Sequence, residues 1–350
     1  MTVAAGRLGG GLGGGLGGGL GRGSGGPQNV FMDSFSLEAR TQRVWDINHA
    51  VWFTLMGLGG GVFLAGRIMN LTDGLGYLLG IPTVDVVSFV AIAVGGAILV
   101  VDLGRPLQFW RAFVNVRTSW ISWGAWADLI FLVVAGLLVL PALSLGGAEP
   151  FAGAGWDPHG RDAAGLALEI VAGVAAVVVM TYAGAVLARP RAIPYWNSPA
   201  VPLQFLLSSA AMSMAVVMLI EVIAGEPVSA GQMVLLSCLT AGLLAAVVVH
   251  LVTGADVGGK RESLERLLRG RYRGLFCGFV VVSGTALPLV LGLVGAAVAG
   301  ARDALAVVCC LLLVPAGFWL RLVTLRVGIF PPVHIPSVPV PRSAASADGG

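Results

Sequence analysis

Eight apolar segments dominate this chain: 49–71, 84–103, 119–145, 163–188, 200–224, 230–253, 274–300 and 304–325. Each has about the 20 residues that a helix needs to cross a ~30 Å hydrocarbon core. The segments are continuously apolar and show no period of two, which excludes barrel strands. A helix is then the spanning element that satisfies its own backbone in lipid. The expected fold is an all-α integral membrane protein, an eight-transmembrane-helix bundle with both termini on the same side. Composition points the same way. Only 11% of the residues are charged and 57% are hydrophobic, whereas soluble domains carry roughly 25% charge.

Around the bundle, expected to occupy 49–328, lie three dissimilar stretches. Residues 1–30 form a Gly-rich tail in which Leu8, Leu12, Leu16 and Leu20 recur four apart. That much glycine opposes a stable helix, so the tail is expected to be flexible. It has neither the apolar core of a secretory signal nor an Arg-Arg pair. Residues 31–48 are polar and expected on the membrane surface, and 329–350 form a Pro-rich tail expected to be disordered. Within the first two spans, Gly57, Gly59, Gly60, Gly61, Gly66, Gly95 and Gly96 allow helix backbones to approach closely. No strand precedes these glycines, so they do not read as a dinucleotide-binding loop.

The few charges set an orientation. Eight spans return the chain to its starting side, and all but Arg67, Arg161 and Arg302 of the 21 Lys and Arg residues fall on that side. The positive-inside rule makes it cytoplasmic. The expected location is the cell inner or plasma membrane, with both termini in the cytoplasm. Basic loops can also dock an acidic partner.

Cys238, Cys277, Cys309 and Cys310 all lie in apolar blocks without Cys-x-x-Cys spacing. Neither a zinc site nor an iron–sulfur cluster is expected in this chain. Of His49, His159, His250 and His334, only His49 and His250 share a face within helices, and no haem is expected. Electrons passing through this protein would come from another subunit or a diffusible carrier.

Four features carry possible chemistry, because titratable groups in a bilayer are costly. Asp102-Leu103-Gly104-Arg105-Pro106 closes the second span and Ser119-Trp120-Ile121-Ser122-Trp123-Gly124 opens the third. Asp102 and Arg105 can pair across one helical turn, as a surface clamp or as a charged rim around a ligand's polar head. His49, beside Asn48, opens the first span, either as an interfacial polar group or as a hydrogen-bond donor and proton carrier. Tyr182 lies near the end of the fourth span at the depth of His49, either as an interfacial aromatic or as a second donor. Asp128, Glu169 and Glu221 are intramembrane acids, proton-pathway candidates or groups satisfied locally.

These motifs, with Pro194-Tyr195-Trp196-Asn197-Ser198-Pro199 and Pro202 leading into the fifth span, closely resemble the NrfD/PsrC family of polysulfide reductase-like membrane subunits. The resemblance covers roughly 45–328. It implies a haem-free subunit that exchanges electrons and protons with menaquinone or ubiquinone. The implied partners are a ferredoxin-like iron–sulfur subunit and a molybdopterin or nickel-iron catalytic subunit; no nucleic-acid partner is expected. In the family a His and an Asn at the start of the first helix and a Tyr on the fourth hold the quinone. His49 and Tyr182 match, while Asn48 adjoins the histidine instead of lying a turn away.

The function expected is a quinone/quinol-reactive membrane anchor of a multisubunit respiratory oxidoreductase. Its alternatives are a transporter or proton pathway through Asp128, Glu169 and Glu221, and a purely structural anchor. The basic face also carries the motif residues, so the iron–sulfur partner is expected in the cytoplasm, as suits a formate dehydrogenase or hydrogenase. A reporter fused to the carboxy terminus should therefore be active in its cytoplasmic form; activity only outside the membrane would overturn the orientation.

Overall fold

The computed structural model describes residues 35–37, 39–71, 75–102, 106–114, 116, 119–255 and 258–335. The chain divides into two units, 37–333 and the two ends 1–36 with 334–350; the bundle is the first. Its helices are α1 (Ile47–Ile68), α2 (Thr83–Asp102), α3 (Trp120–Val139), α4 (Ala163–Ala188), α5 (Ala200–Ala224) and α6 (Ala230–Val252), then the short α7 (Lys260–Leu268), α8 (Leu287–Ala297) and α9 (Arg302–Arg326). A π-helical stretch, Leu275–Ala286, runs directly into α8. Eight of the helical segments among the described residues are long and apolar enough to cross a membrane. With the π-helical stretch and α8 forming one of them, these are the eight spans that apolar length requires.

Local chemistry sets several helix ends. Asp46 caps α1, its carboxylate accepting from the Asn48 and His49 backbone N–H groups, and Asp162 caps α4 by accepting from Gly165 N. Ser229 and Gln232 form a reciprocal capping box on α6. Gly225 ends α5 at φ 82°, a left-handed conformation that glycine adopts without strain. α1 starts two residues before the first apolar block, because Asp46 provides the cap. Arg40–Thr41 pairs antiparallel with Ile329–Phe330, so parts of the expected surface segment and of the expected carboxy-terminal tail are joined in one small sheet.

The bundle consists of two packed rings that share a wall. α1, α2, α3 and α4 close one ring, each packing against its neighbours. α5, α6, α8 and α9 close the other, and α1 also packs on α5 and α9. One stretch of α1 meets three helices because its side chains there are hydrogen atoms. A Cβ on Gly59 would come within 2.7 Å of Ser88 O on α2, one on Gly60 within 2.9 Å of Ala176 O on α4, and one on Gly61 within 2.3 Å of Ser213 Oγ on α5. Serines join the same contacts: Ser88 Oγ donates to Gly59 O and Ser213 Oγ to Leu58 O. Small residues and interhelical hydrogen bonds replace the hydrophobic effect, which has no grip between helices in lipid.

Arg321 departs from the sequence reading, which counts it among the charges of the basic face. It is 1% exposed inside α9. Its guanidinium donates to Phe53 O on α1, to Phe205 O, Ser208 Oγ and Ser209 Oγ on α5, and to Gly317 O one turn back on its own helix. No carboxylate among the described residues pairs with it. Gly57 makes the space, since a Cβ there would lie 2.3 Å from Ser209 Oγ and 2.8 Å from Arg321 Nη2.

Overpacking at such a contact costs about 1–3 kcal/mol. Gly57→Val should therefore lower the melting temperature of the purified protein. Gly136→Ala, whose new methyl would meet Phe89 at an ordinary 3.5 Å, should leave it nearly unchanged.

Candidate functional site

The amino terminus of α1 and the carboxy terminus of α2 meet at one end of the four-helix ring, and their polar residues interlock. Asp46 Oδ1 accepts from Asn48 N at 3.0 Å and His49 N at 3.4 Å while lying 3.0 Å from His49 Nδ1. Asp102, the last residue of α2, places Oδ2 3.4 Å from the same ring nitrogen and accepts from Asn48 Nδ2 through Oδ1 at 3.0 Å. Burial works against the Asp46 charge, but the hydrogen bonds from His49 and Asn48 outweigh it and hold this carboxyl below its ordinary range. Among the described residues His49 Nε2 has no hydrogen-bond partner, so two carboxylates orient the ring through Nδ1 and leave Nε2 available.

Arg105, expected beside Asp102, lies outside the described residues, as do Leu103 and Gly104. The partners described for Asp102 are Asn48 and His49. Asn48 thus supports the carboxylate that orients the histidine, an arrangement its position beside His49 does not suggest. The ligand atoms of Asp46, His49 and Asp102 lie within 4.8 Å of one another. An N-cap that pairs with a histidine explains the cluster without a metal.

One turn inward, Trp52 links His49 to Tyr182. Its ring centroid is 6.1 Å from that of His49 and 6.5 Å from that of Tyr182. Tyr182 on α4 lies flush against α3 at Gly124, where a Cβ would come within 2.2 Å of its ring carbons. One turn further along α3, Asp128 approaches α2, with Oδ2 3.1 Å from where a Gly96 Cβ would stand. Each helix of the ring therefore contributes either a polar group or the glycine that admits one.

Trp52 Nε1, Ser122 Oγ and Asp128 Oδ1 are buried without a hydrogen-bond partner among the described residues. An unmade hydrogen bond at a buried group costs about 1–3 kcal/mol, so three of them on α1 and α3 mark a place suited to a polar ligand. Outside the ring, between α3 and α4, runs an apolar groove of about 540 Å³ lined by Trp123, Trp126, Ile130, Ile170, Val174 and Val178. Ala127, next to Asp128, also lines it.

The other two intramembrane acids lie elsewhere. Glu169 stands 4.0 Å from Arg67, which forms a buried 2.7 Å ion pair with Asp85 across the ends of α1 and α2. Glu221 accepts from Gln232 Nε2 at 2.6 Å at the turn between α5 and α6. Asp128 alone of the three lies near Tyr182; Glu169, although also on α4, stands three to four turns away beside Arg67. Trp52 and Ser122 escape sequence reading because Trp and Ser are common in spans; their only signal is position, Trp52 falling one turn after His49 and Ser122 inside the motif that opens α3.

Fold and site together define a multi-pass membrane protein whose α1–α4 ring holds a polar, incompletely satisfied centre. Residues 36–332 match the family described as Polysulphide reductase, NrfD, and the chain belongs to that family of membrane subunits of oxidoreductase complexes. It is also similar to the C subunit of polysulfide reductase from Wolinella succinogenes, with 28% identity over 186 residues. That match covers 49% of this chain and 56% of the Wolinella protein, so the chain spans little more than half of that relative's length.

Proposed function

We propose that this chain is the quinone/quinol-reactive membrane subunit of a multisubunit oxidoreductase, exchanging electrons between an iron–sulfur partner and menaquinone or ubiquinone. The observation that carries the reading is the set of unpartnered buried groups around Tyr182 in a ring whose outer wall is an apolar groove. A quinone has two carbonyl oxygens and a long apolar tail. The residues present fit such a group: His49 Nε2, the Tyr182 hydroxyl and Trp52 N–H supply polar contacts, and the groove between α3 and α4 suits the tail. When bound, the quinone supplies two-electron, two-proton redox chemistry.

His49 holds or moves a proton at Nε2, oriented by Asp46 and Asp102 through Nδ1. The Tyr182 hydroxyl donates a hydrogen bond, its ring fixed by Gly124. Asp128, beside the tyrosine, accepts or returns a proton through the oxygen that has no partner among the described residues. Asp102 contributes to the electrostatic rim at the mouth, and Glu169 and Glu221 belong to separate proton routes. The basic residues at the His49 end suit docking of the acidic iron–sulfur partner, which carries the metal centres and connects to a molybdopterin or nickel-iron catalytic subunit.

In the assembled complex, His49→Ala and Tyr182→Phe should each reduce quinone-linked turnover by about 100-fold, the usual size of a lost proton-transfer group, while artificial-dye reduction by the partner subunits persists. Normal quinone turnover in both variants would overturn the site. Gly124→Ala places a methyl against the Tyr182 ring and should lower the same turnover without removing any polar group. An unchanged rate would show that the tyrosine's placement is irrelevant.

A further inference from the structure

A second cavity lies apart from the ring, at the end of the bundle where α9 stops and the chain enters α1. It has two adjoining lobes of about 510 and 410 Å³ that share Thr41, Arg43 and Arg266. Arg40 adds to one lobe, and Arg271 and Arg326 add to the other. Among the described residues no carboxylate lines either lobe, and none of Arg40, Arg43, Arg266 and Arg326 has an ion-pair partner. Five guanidinium groups thus face two small concave spaces with no neutralising charge from the described protein.

The walls are built and anchored. Arg40 lies in, and Arg43 just beyond, the strand Arg40–Thr41, which pairs with Ile329–Phe330 and is tied down by Gln42. Gln42 is buried, donates from its backbone to Gly328 O at 3.1 Å, and donates from Nε2 to Leu325 O at 2.8 Å. Arg266 projects from α7, which is held by the buried Leu264 and Leu267 in the main core. Lys260, at the start of α7, is spent on Thr253 O, and burial lowers its pKa. Arg271 lies over the Tyr272 ring at 5.2 Å.

Depth and size choose the ligand. Arg326 ends α9 and Arg43 just precedes α1, so the cavity lies at the level where a spanning helix leaves the hydrocarbon and headgroups begin. Each lobe has the volume of a small-ligand pocket, whereas protein partners dock on broad surfaces of about 800 Å² per side. The planar fork of arginine matches phosphate oxygens two at a time. We propose that this cleft is a binding site for an anionic phospholipid with two phosphodiesters, of the diphosphatidylglycerol type. Each phosphate takes one lobe, and Arg43 with Arg266 bridges them. The site shares no residue with the quinone contacts, but it draws on the basic end that the proposed function gives to the iron–sulfur partner, and the test separates the two uses.

The full-length protein, purified and delipidated in detergent, provides the test, with melting temperature followed during titration with diphosphatidylglycerol, phosphatidylethanolamine or inorganic pyrophosphate. Diphosphatidylglycerol should raise the melting temperature saturably, and phosphatidylethanolamine should not. The double variant Arg43→Gln, Arg266→Gln should bind the anionic lipid weaker by about tenfold or more. Arg261→Gln, on the same helix but paired with Glu265 at 3.2 Å, should bind normally. An unchanged half-saturation in the double variant would overturn the site. An equal rise with pyrophosphate would assign the cleft to a soluble anion instead. Loss of iron–sulfur partner association with lipid binding intact would make it a protein docking face.

Discussion

The bundle is organised around a cation that has no carboxylate partner among the described residues. Arg321 lies at the junction of α1, α5 and α9, where lipid and helix exclude water, and it is held by hydrogen bonds from its guanidinium to backbone carbonyls and serine hydroxyls. An uncompensated buried charge would be prohibitive. Here several oxygen dipoles and the face of Phe205, 5.1 Å away, share its compensation. The arrangement ties three helices at one point and requires Gly57 opposite it. α1 can sit between the two rings because glycine and serine at that level let polar contacts replace side-chain bulk.

From that fixed wall the α1–α4 ring takes its geometry. With α1 in place, Asp46 and His49 stand at the mouth against the end of α2, and Trp52 stands one turn inward beside Tyr182. The same device recurs: Gly96 admits Asp128 and Gly124 admits the Tyr182 ring. Other buried acids of the bundle find partners, Asp85 in Arg67 and Glu221 in the Gln232 amide. Near Tyr182, Trp52 Nε1, Ser122 Oγ and Asp128 Oδ1 lack a partner among the described residues; the buried His250 on α6 also has neither ring nitrogen paired, so it is the grouping of three such atoms that marks the site.

Much of this is legible in the residues. The number and approximate limits of the spans follow from apolar length, and the NrfD resemblance read from the motifs around Asp102, Ser119 and Pro194 agrees with the family match over 36–332. His49 and Tyr182 are identifiable as polar groups of similar depth. The role of Asn48 is not, because adjacency to His49 says nothing of a carboxylate arriving from the end of α2. Along the sequence Arg321 reads wrongly as a surface charge, since four residues before the end of an apolar block is where an arginine ordinarily reaches for the interface. Nothing in the order of residues foretells that three helices will surround it.

The sequence by itself determined the solvent, the spanning element and the placing of most charges outside the apolar segments. These depend on composition and on a period that any single helix displays. The tertiary structure alone decided which polar groups are satisfied. That property belongs to pairs and triples of residues on different helices: Asp102 with His49, and Arg321 with Ser208 and Ser209. Hydrogen bonds in lipid are short-ranged and directional, so whether a buried donor is structural or left available for a ligand is settled only by which helix lies opposite.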